Sequence, residues 1–211
     1  MELEVQNLTK IIKGTVILQN IKLSLTGGNI YGLRGKNGSG KTMLLRALCG
    51  LIKPSEGKII IDGLCLGKDI DFPPSAGVLI ENPSFLSGYT GFQNLKMLGL
   101  LKGHFSDEDI RSMIDAVGLD AYDKRKYRKY SLGMKQRLGI ACALMGSPDL
   151  ILLDEPLNAL DEKGVELVKT LLIHLRDQGK IIVVACHDAE ELEYLSDVIF
   201  KLENGAVYLE R

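Results

Sequence analysis

Apolar positions along the chain follow two rhythms, and the changes between them divide its 211 residues into three stretches. Residues 1–83 carry short apolar runs at 3–6, 16–18, 21–25, 28–33, 58–61 and 78–80, each bounded by polar or turn-forming residues. Runs of that length read as strands, and Asp62-Gly63 behind the run at 58–61 is a strong hairpin signal. The early strands therefore predict an antiparallel β region. Met43-Leu44-Leu45-Arg46-Ala47-Leu48 instead has the spacing of a buried helix.

From 84 to 147 the rhythm is helical. Residues 94–102 are apolar at helical spacing. Ser106-Asp107-Glu108-Asp109 caps a second helix that runs to Val117 and stops at Gly118. A third begins after Ser131 and runs through Met145. Beyond 148 strands return: 150–153 and 181–184 are continuous apolar runs, the form of strands buried on both faces of a parallel sheet. A helix at 162–177, ended by Gly179, lies between them and makes a β-α-β crossover. The runs at 198–200 and 206–208 flank Asn204-Gly205 and predict a closing hairpin. The expected architecture is one α/β domain over 1–211. Its core, at 1–83 and 148–211, holds a mixed sheet beside the N-terminal antiparallel region, and 84–147 is an inserted α-helical subdomain.

Composition bears on partners. A net charge of −1 gives no bulk drive toward nucleic acid, so none is expected as a partner. The one basic run, 124–129, reads as a solvated face leading into the third helix. Met1-Glu2-Leu3-Glu4 lacks a basic, then apolar, leader, so no signal peptide is expected. No apolar run approaches the roughly 18 residues needed to cross a bilayer. Cys49, Cys65, Cys142 and Cys186 are scattered through apolar segments without a CxxC pair, and read as reduced core residues of a cytosolic protein.

The chemistry starts at Gly35-Lys36-Asn37-Gly38-Ser39-Gly40-Lys41-Thr42, which fits the P-loop pattern G-x-x-x-x-G-K-[ST] between the run at 28–33 and the helix at 43–48. Strand, glycine loop and helix converge backbone N–H groups on one point, so this segment is expected to cradle the phosphates of a nucleoside triphosphate. Lys41 is then placed against the β- and γ-phosphates and the Thr42 hydroxyl against Mg²⁺. A lone P-loop leaves kinases, GTPases and many ATPases open. Leu150-Ile151-Leu152-Leu153-Asp154-Glu155-Pro156 adds a Walker B pattern, an apolar strand ending in two acids. Asp154 suits the Mg²⁺ shell. Glu155 suits polarising the attacking water as general base.

Tyr130-Ser131-Leu132-Gly133-Met134-Lys135-Gln136-Arg137 opens the third helix, with Ser131 preceding Asp154 by 23 positions. With this segment the chain resembles the ATP-binding cassette (ABC) family over essentially its whole length. The resemblance implies a P-loop NTPase fold and an ATPase that converts ATP and water to ADP and phosphate. It implies that Ser131 and Gly133, though not Leu132, face the γ-phosphate held by a second ATP-binding subunit, in a head-to-tail dimer with ATP sandwiched between the two. A homodimer is the simplest form of that pair. Asn158-Ala159-Leu160-Asp161 resembles the D-loop that crosses the interface, and His187 resembles the switch histidine that contacts the γ-phosphate. His104 and His174 read as structural.

Three departures accompany the resemblance. Glu81, in Val78-Leu79-Ile80-Glu81-Asn82-Pro83, stands where the family usually has the Q-loop glutamine. It can hold Mg²⁺ through an oxygen but donates no hydrogen bond. Leu132 replaces the first glycine of the commoner signature, and Ile12 stands where an adenine-stacking aromatic is usual. Glu81 together with the Ser-Leu-Gly-Met signature resembles bacitracin-resistance and lantibiotic-immunity exporters, which implies export of a peptide or antibiotic-like compound. The partner implied is a separately encoded integral membrane permease, which would hold the cytoplasmic cassette at the membrane's inner face. Residues 81–89 are the expected coupling segment, with Phe85 and Leu86 as exposed anchors. A soluble ABC ATPase acting on ribosomes or DNA is the alternative, and a small-molecule kinase leaves Ser131 and His187 unexplained. Because Ile12 has no π-face for adenine, GTP and ATP are expected to bind with closer affinities than an aromatic would give. A nucleotide titration showing strong ATP preference would count against this.

Overall fold

Turn residues with left-handed backbones set where the strands end. The computed structural model describes residues 1–103 and 105–211. Its elements are β1 (Glu2–Ile12), β2 (Thr15–Thr26), β3 (Asn29–Arg34), α1 (Lys41–Leu48), β4 (Glu56–Ile61), β5 (Leu64–Cys65), β6 (Ala76–Leu79), α2 (Gly91–Lys102), α3 (Asp107–Ala116), α4 (Leu132–Leu144), β7 (Leu150–Asp154), α5 (Glu162–Asp177), β8 (Ile181–Cys186), α6 (Ala189–Leu195), β9 (Val198–Glu203) and β10 (Ala206–Leu209). Lys13-Gly14, Asp62-Gly63 and Asn204-Gly205 each place two consecutive residues at φ between 47° and 83°. The twist of such turns matches that of antiparallel strands, so they close the hairpins β1–β2, β4–β5 and β9–β10.

Two strands are longer than the apolar pattern predicts. The runs at 16–18 and 21–25 are one strand, β2, and the run at 3–6 extends through β1 to Ile12. Asn7 and Asn20, at φ 52° and 47°, take up the irregularities, and the pairing of Leu8 with Ile21 carries the ladder across them. Asparagine accepts a left-handed backbone at modest cost, so a polar break in the pattern became a bulge rather than a strand end.

The antiparallel sheet has the order β2-β1-β4-β5, and the larger, mixed sheet has the order β10-β9-β3-β8-β7-β6. Only β10 runs against its neighbour in the larger sheet. The unbroken apolar runs of β7 and β8 are buried on both faces, as expected. Leu150, Leu152, Ile181 and Val183 enter a core shared with α1 and the antiparallel sheet. Ile151, Leu153, Ile182 and Val184 enter a second core with residues of α2 to α5, including Leu95, Ile110, Leu138 and Val168. The Ser106 hydroxyl accepts from the Asp109 N–H at 3.1 Å and caps α3, and Gly118 (φ 72°) follows its end. The short α6 and a 3₁₀ turn at Tyr127–Lys129 carry no periodic signal and were not expected. His104 lies outside the described residues. No helix among the described residues is long and apolar enough to cross a membrane.

α4 lies so close on β6 that a Cβ built on Gly77 would stand 1.9 Å from the Ala143 carbonyl oxygen. Backbone cannot move aside cheaply. Gly77→Ala is expected to cost roughly 2–3 kcal/mol, a Tm loss of roughly 5–10 °C by thermal unfolding.

Candidate functional site

Parallel pairing brings three strand ends to one edge of the larger sheet. Arg34 pairs with Cys186 and Asp154 with Ala185, so the loops leaving β3, β7 and β8 start as neighbours. The loop 35–40 joins β3 to α1. Gly40, at φ 110°, starts α1 without a side-chain cap, and a Cβ there would meet the Leu18 side chain at 2.9 Å. Lys41 is buried, and its Nζ curls back to donate to the carbonyl oxygens of Gly35 at 2.6 Å and Lys36 at 3.5 Å. These two carbonyls hold the ammonium inside the loop, at the N-terminus of α1, where backbone N–H groups suit an anionic phosphate.

Asp154 and Glu155 divide the acid work at the end of β7. The Thr42 hydroxyl donates to Asp154 Oδ2 at 2.6 Å. Burial pushes the Asp154 carboxyl above its ordinary range, and the neighbouring Glu155 and Glu81 charges add to this against the Thr42 hydrogen bond and Lys41. A buried carboxylate among other carboxylates is a place that favours a cation. Thr42, Asp154 and the nearby Glu81 offer oxygen donors only, which fits a hard ion such as Mg²⁺. Glu155 takes a left-handed backbone (φ 48°), with its N–H donating to the Ala185 carbonyl at 2.8 Å. Its Oε2 lies 2.8 Å from His187 Nδ1 and its Oε1 4.0 Å from Lys41 Nζ. Burial, reinforced by the Glu155 carboxylate, pushes the adjoining Cys186 thiol up to about 11.

Gln136 is the functional residue that the sequence reading missed. Its Nε2 donates to the carbonyls of Glu155 at 3.0 Å and Pro156 at 3.2 Å, holding the acid turn from beneath. The signal was present as a polar residue on the apolar stripe Gln136, Ile140, Ala143 of α4.

Ser131, Gly133 and Asp161 stand apart from this cluster. The Ser131 hydroxyl accepts from the Met134 N–H at 3.2 Å and caps α4. Gly133 packs on the 158–161 loop, where a Cβ would meet the Ala159 carbonyl oxygen at 2.7 Å. Asp161 caps α5 through the Gly164 N–H at 3.1 Å and pairs with Arg137 at 2.5 Å. Ser131, Leu132, Gly133, Ala159 and Asp161 line one cleft of about 590 Å³. The loop 35–39 and His187 line another of about 780 Å³, and the two share no residue.

Other expectations met different surroundings. Glu81, at φ 63°, pairs with Arg46 of α1 at 2.5 Å. Ile12 lies beside the β1–β2 turn, partly exposed, and it is Ile17 that lines the small cleft with Lys41, Thr42 and Asp154. Leu86 is exposed as expected. Phe85 is not a free anchor: it is half-buried edge-on against Tyr127, ring centres 5.3 Å apart. The basic run is likewise anchored, since Tyr127 is buried and its hydroxyl donates to the Pro83 carbonyl at 2.7 Å. Its backbone N–H donates to the Tyr89 carbonyl at 2.8 Å. Tyr130, whose ring centre lies 5.8 Å from that of Tyr127, accepts the Gly91 N–H at 3.2 Å. His174 contacts Gln178, which caps the end of α5.

The family model for the ABC transporter matches residues 18–158, more than half of the chain. The chain belongs to the ABC transporter family. It is similar to the uncharacterized ABC transporter ATP-binding protein YybJ of Bacillus subtilis, 50% identical over 203 residues that span 96% of this chain and 93% of the relative. The bacitracin transport ATP-binding protein BcrA of Enterococcus faecalis is 38% identical over 205 residues, 96% of this chain and 67% of the relative. The lantibiotic transport ATP-binding protein SrtF of Streptococcus pyogenes is 35% identical over 210 residues, 99% and 90%. Among solved structures, the dimeric post-hydrolysis state of the ATP-binding cassette MJ0796 bound to ADP and Pi superimposes with a TM-score of 0.86 at 27% identity, over 99% of this chain and 97% of that one. The family resemblance read from the motifs is thus borne out: this is an ATP-binding, ATP-hydrolysing subunit of an ABC transporter.

An ABC cassette without nucleotide carries Asp154 as an electrostatic cost. Because its folded-state pKa is raised, ionising it removes stability as pH rises from the ordinary carboxylate range through the raised value. The isostere Asp154→Asn is expected to melt about 2–4 °C higher than the wild type at neutral pH, nucleotide-free, and to lose that advantage in acid below the ordinary carboxylate pKa. Thermal melts across pH, with ATPase assays showing lost turnover, check both halves.

Proposed function

We propose that this ATPase subunit powers a separately encoded membrane permease that exports a peptide or antibiotic-like compound, and that it does so as a head-to-tail homodimer on the cytoplasmic face of the membrane. The pairing of Glu155 with His187 beside Lys41 carries the catalytic part of the reading. The backbone of Gly35, Lys36, Asn37, Gly38, Ser39 and Gly40, with Lys41, holds the β- and γ-phosphates. Ile17, which lines the cleft with Lys41 and Thr42, gives adenine an aliphatic face. Thr42, Asp154 and Glu81 would hold Mg²⁺, which would supply positive charge beside the phosphate oxygens. Glu155 accepts a proton from the attacking water, while His187 holds the γ-phosphate and orients Glu155 through Nδ1.

Ser131 and Gly133 line a cleft separate from the loop 35–40 of their own chain. A second copy is therefore the natural source of the γ-phosphate they face, with Asp161 at the same interface. On this reading residues 84–147 form the helical insertion that carries Ser131 inward on ATP binding, and residues 81–89 receive the permease, with Leu86 and Tyr89 exposed there. The export of an antibiotic-like compound rests on similarity to the bacitracin and lantibiotic transport ATP-binding proteins.

Glu155→Gln is expected to bind ATP with unchanged affinity, to hydrolyse it at least 100-fold more slowly, and to form an ATP-dependent dimer. Normal hydrolysis would remove Glu155 from the base role. Tagged Glu155→Gln, drawn from detergent-solubilised membranes with and without ATP, should bring a multi-spanning protein in stoichiometric amount. Ribosomal or DNA-repair components without a membrane protein would overturn the export reading.

A further inference from the structure

Cys186 ends β8 directly before His187, and the register of β7 against β8 sets Glu155 beside both. One ligand-capable atom from each of Glu155, Cys186 and His187 lies within 4.8 Å of the other two. This donor set differs in kind from Thr42 and Asp154. A thiol and an imidazole favour borderline and soft cations, whereas hydroxyl and carboxylate oxygens favour Mg²⁺. Sulfur, nitrogen and oxygen from three side chains, with a fourth position open, is a composition zinc accepts.

The geometry is close to what such an ion requires. Zinc bond lengths and tetrahedral angles put neighbouring donor atoms roughly 3.3–3.6 Å apart. His187 Nδ1 and Glu155 Oε2, now 2.8 Å apart, need to separate by roughly half an ångström. The sulfur needs to draw in by roughly 1.2–1.5 Å at most. His187 is more than half exposed and can rotate to meet the first demand, and the second is met by turning the Cys186 side chain about its χ1. The Asp188 N–H already donates to Cys186 Sγ at 3.4 Å, the outer hydrogen bond that a coordinated thiolate uses. An entry path exists because His187 lines the open 780 Å³ cleft beside the phosphate loop.

We propose that Glu155, Cys186 and His187 form an inhibitory site for a thiophilic divalent cation of the zinc class, which stops ATP hydrolysis by occupying the groups that act on the attacking water and the γ-phosphate. As the metal–sulfur bond forms, the thiol gives its proton to solvent. The inhibition rests on the roles given above to Glu155 and His187; the binding does not.

Cadmium serves as the probe, because its bond to a thiolate gives an ultraviolet charge-transfer band that is independent of turnover. The nucleotide-free protein is titrated with cadmium, and ATPase activity is followed against zinc at excess Mg²⁺. The expected result is a band that saturates at one cadmium per chain and zinc inhibition that excess Mg²⁺ does not relieve. Cys186→Ser and Cys186→Ala should keep the uninhibited ATPase rate, lose the band, and need at least tenfold more zinc for half-inhibition. Glu155→Gln, read by the band alone, should bind cadmium at least tenfold more weakly. A band unchanged in the Cys186 variants, carried then by Cys65 or Cys142, overturns the site. Cys186-dependent binding that leaves ATPase activity intact overturns the inhibition and places the fault in the roles assigned to Glu155 and His187.

Discussion

Parallel hydrogen bonding of β3, β8 and β7 is the constraint from which the site follows. None of the three strand ends carries enough chemistry alone: β3 leads into a glycine loop with lysines, β7 ends in Asp154 followed by Glu155, and β8 ends in Cys186 followed by His187. The pairing of Arg34 with Cys186, and of Asp154 with Ala185, makes them a single cluster in which Glu155 reaches both His187 and Lys41. What holds that register is apolar burial on two faces. A slip of one residue would exchange Leu150 and Leu152 with Ile151 and Leu153 between the two cores. The cluster of Lys41, Glu155 and His187 is therefore placed by apolar residues that have no part in it.

Part of the backbone strain falls in loops that carry candidate site residues. Glu81, Glu155 and Ala159 all adopt left-handed backbones, at φ 63°, 48° and 64°, and each costs about 1–2 kcal/mol for a residue with a Cβ. The structure answers this locally at Glu155. Its N–H is taken by the Ala185 carbonyl, and its carbonyl and that of Pro156 are both taken by the buried Gln136. One amide on α4 thus ties the acid turn to the helix that Ser131 starts.

Much of this was legible in the chain because the signals were local. The P-loop, the acids after an apolar run, the cap at Ser106 and the turn at Asn204-Gly205 all depend on neighbouring residues. What escaped depended on distant ones. Asn20 interrupts an apolar pattern in the same way as a turn does, and only the Leu8 partner across the ladder makes it a bulge. Phe85 looks like an exposed aromatic until Tyr127, far along the chain, covers it. α6 is too short to show a period. Ile17 and Ile12 are separated by a turn without Asn or Asp, so nothing in the local sequence said which one would line the cleft beside Lys41 and Thr42.

The tyrosines in and after the basic run have a mechanical consequence. Tyr127 is bonded to Pro83 and Tyr89, and Tyr130 to Gly91, while Phe85, Tyr127 and Tyr130 form a row of edge-on and tilted rings. Moving the exposed segment around Leu86 without moving Ser131 would break several of these bonds at once, at roughly 0.5–1.5 kcal/mol each. The two ends therefore behave as the arms of a rocker pivoted on Tyr127. Displacing one arm strains the bonds that tie it to the other, so the segment that precedes α2 and the start of α4 resist separate movement.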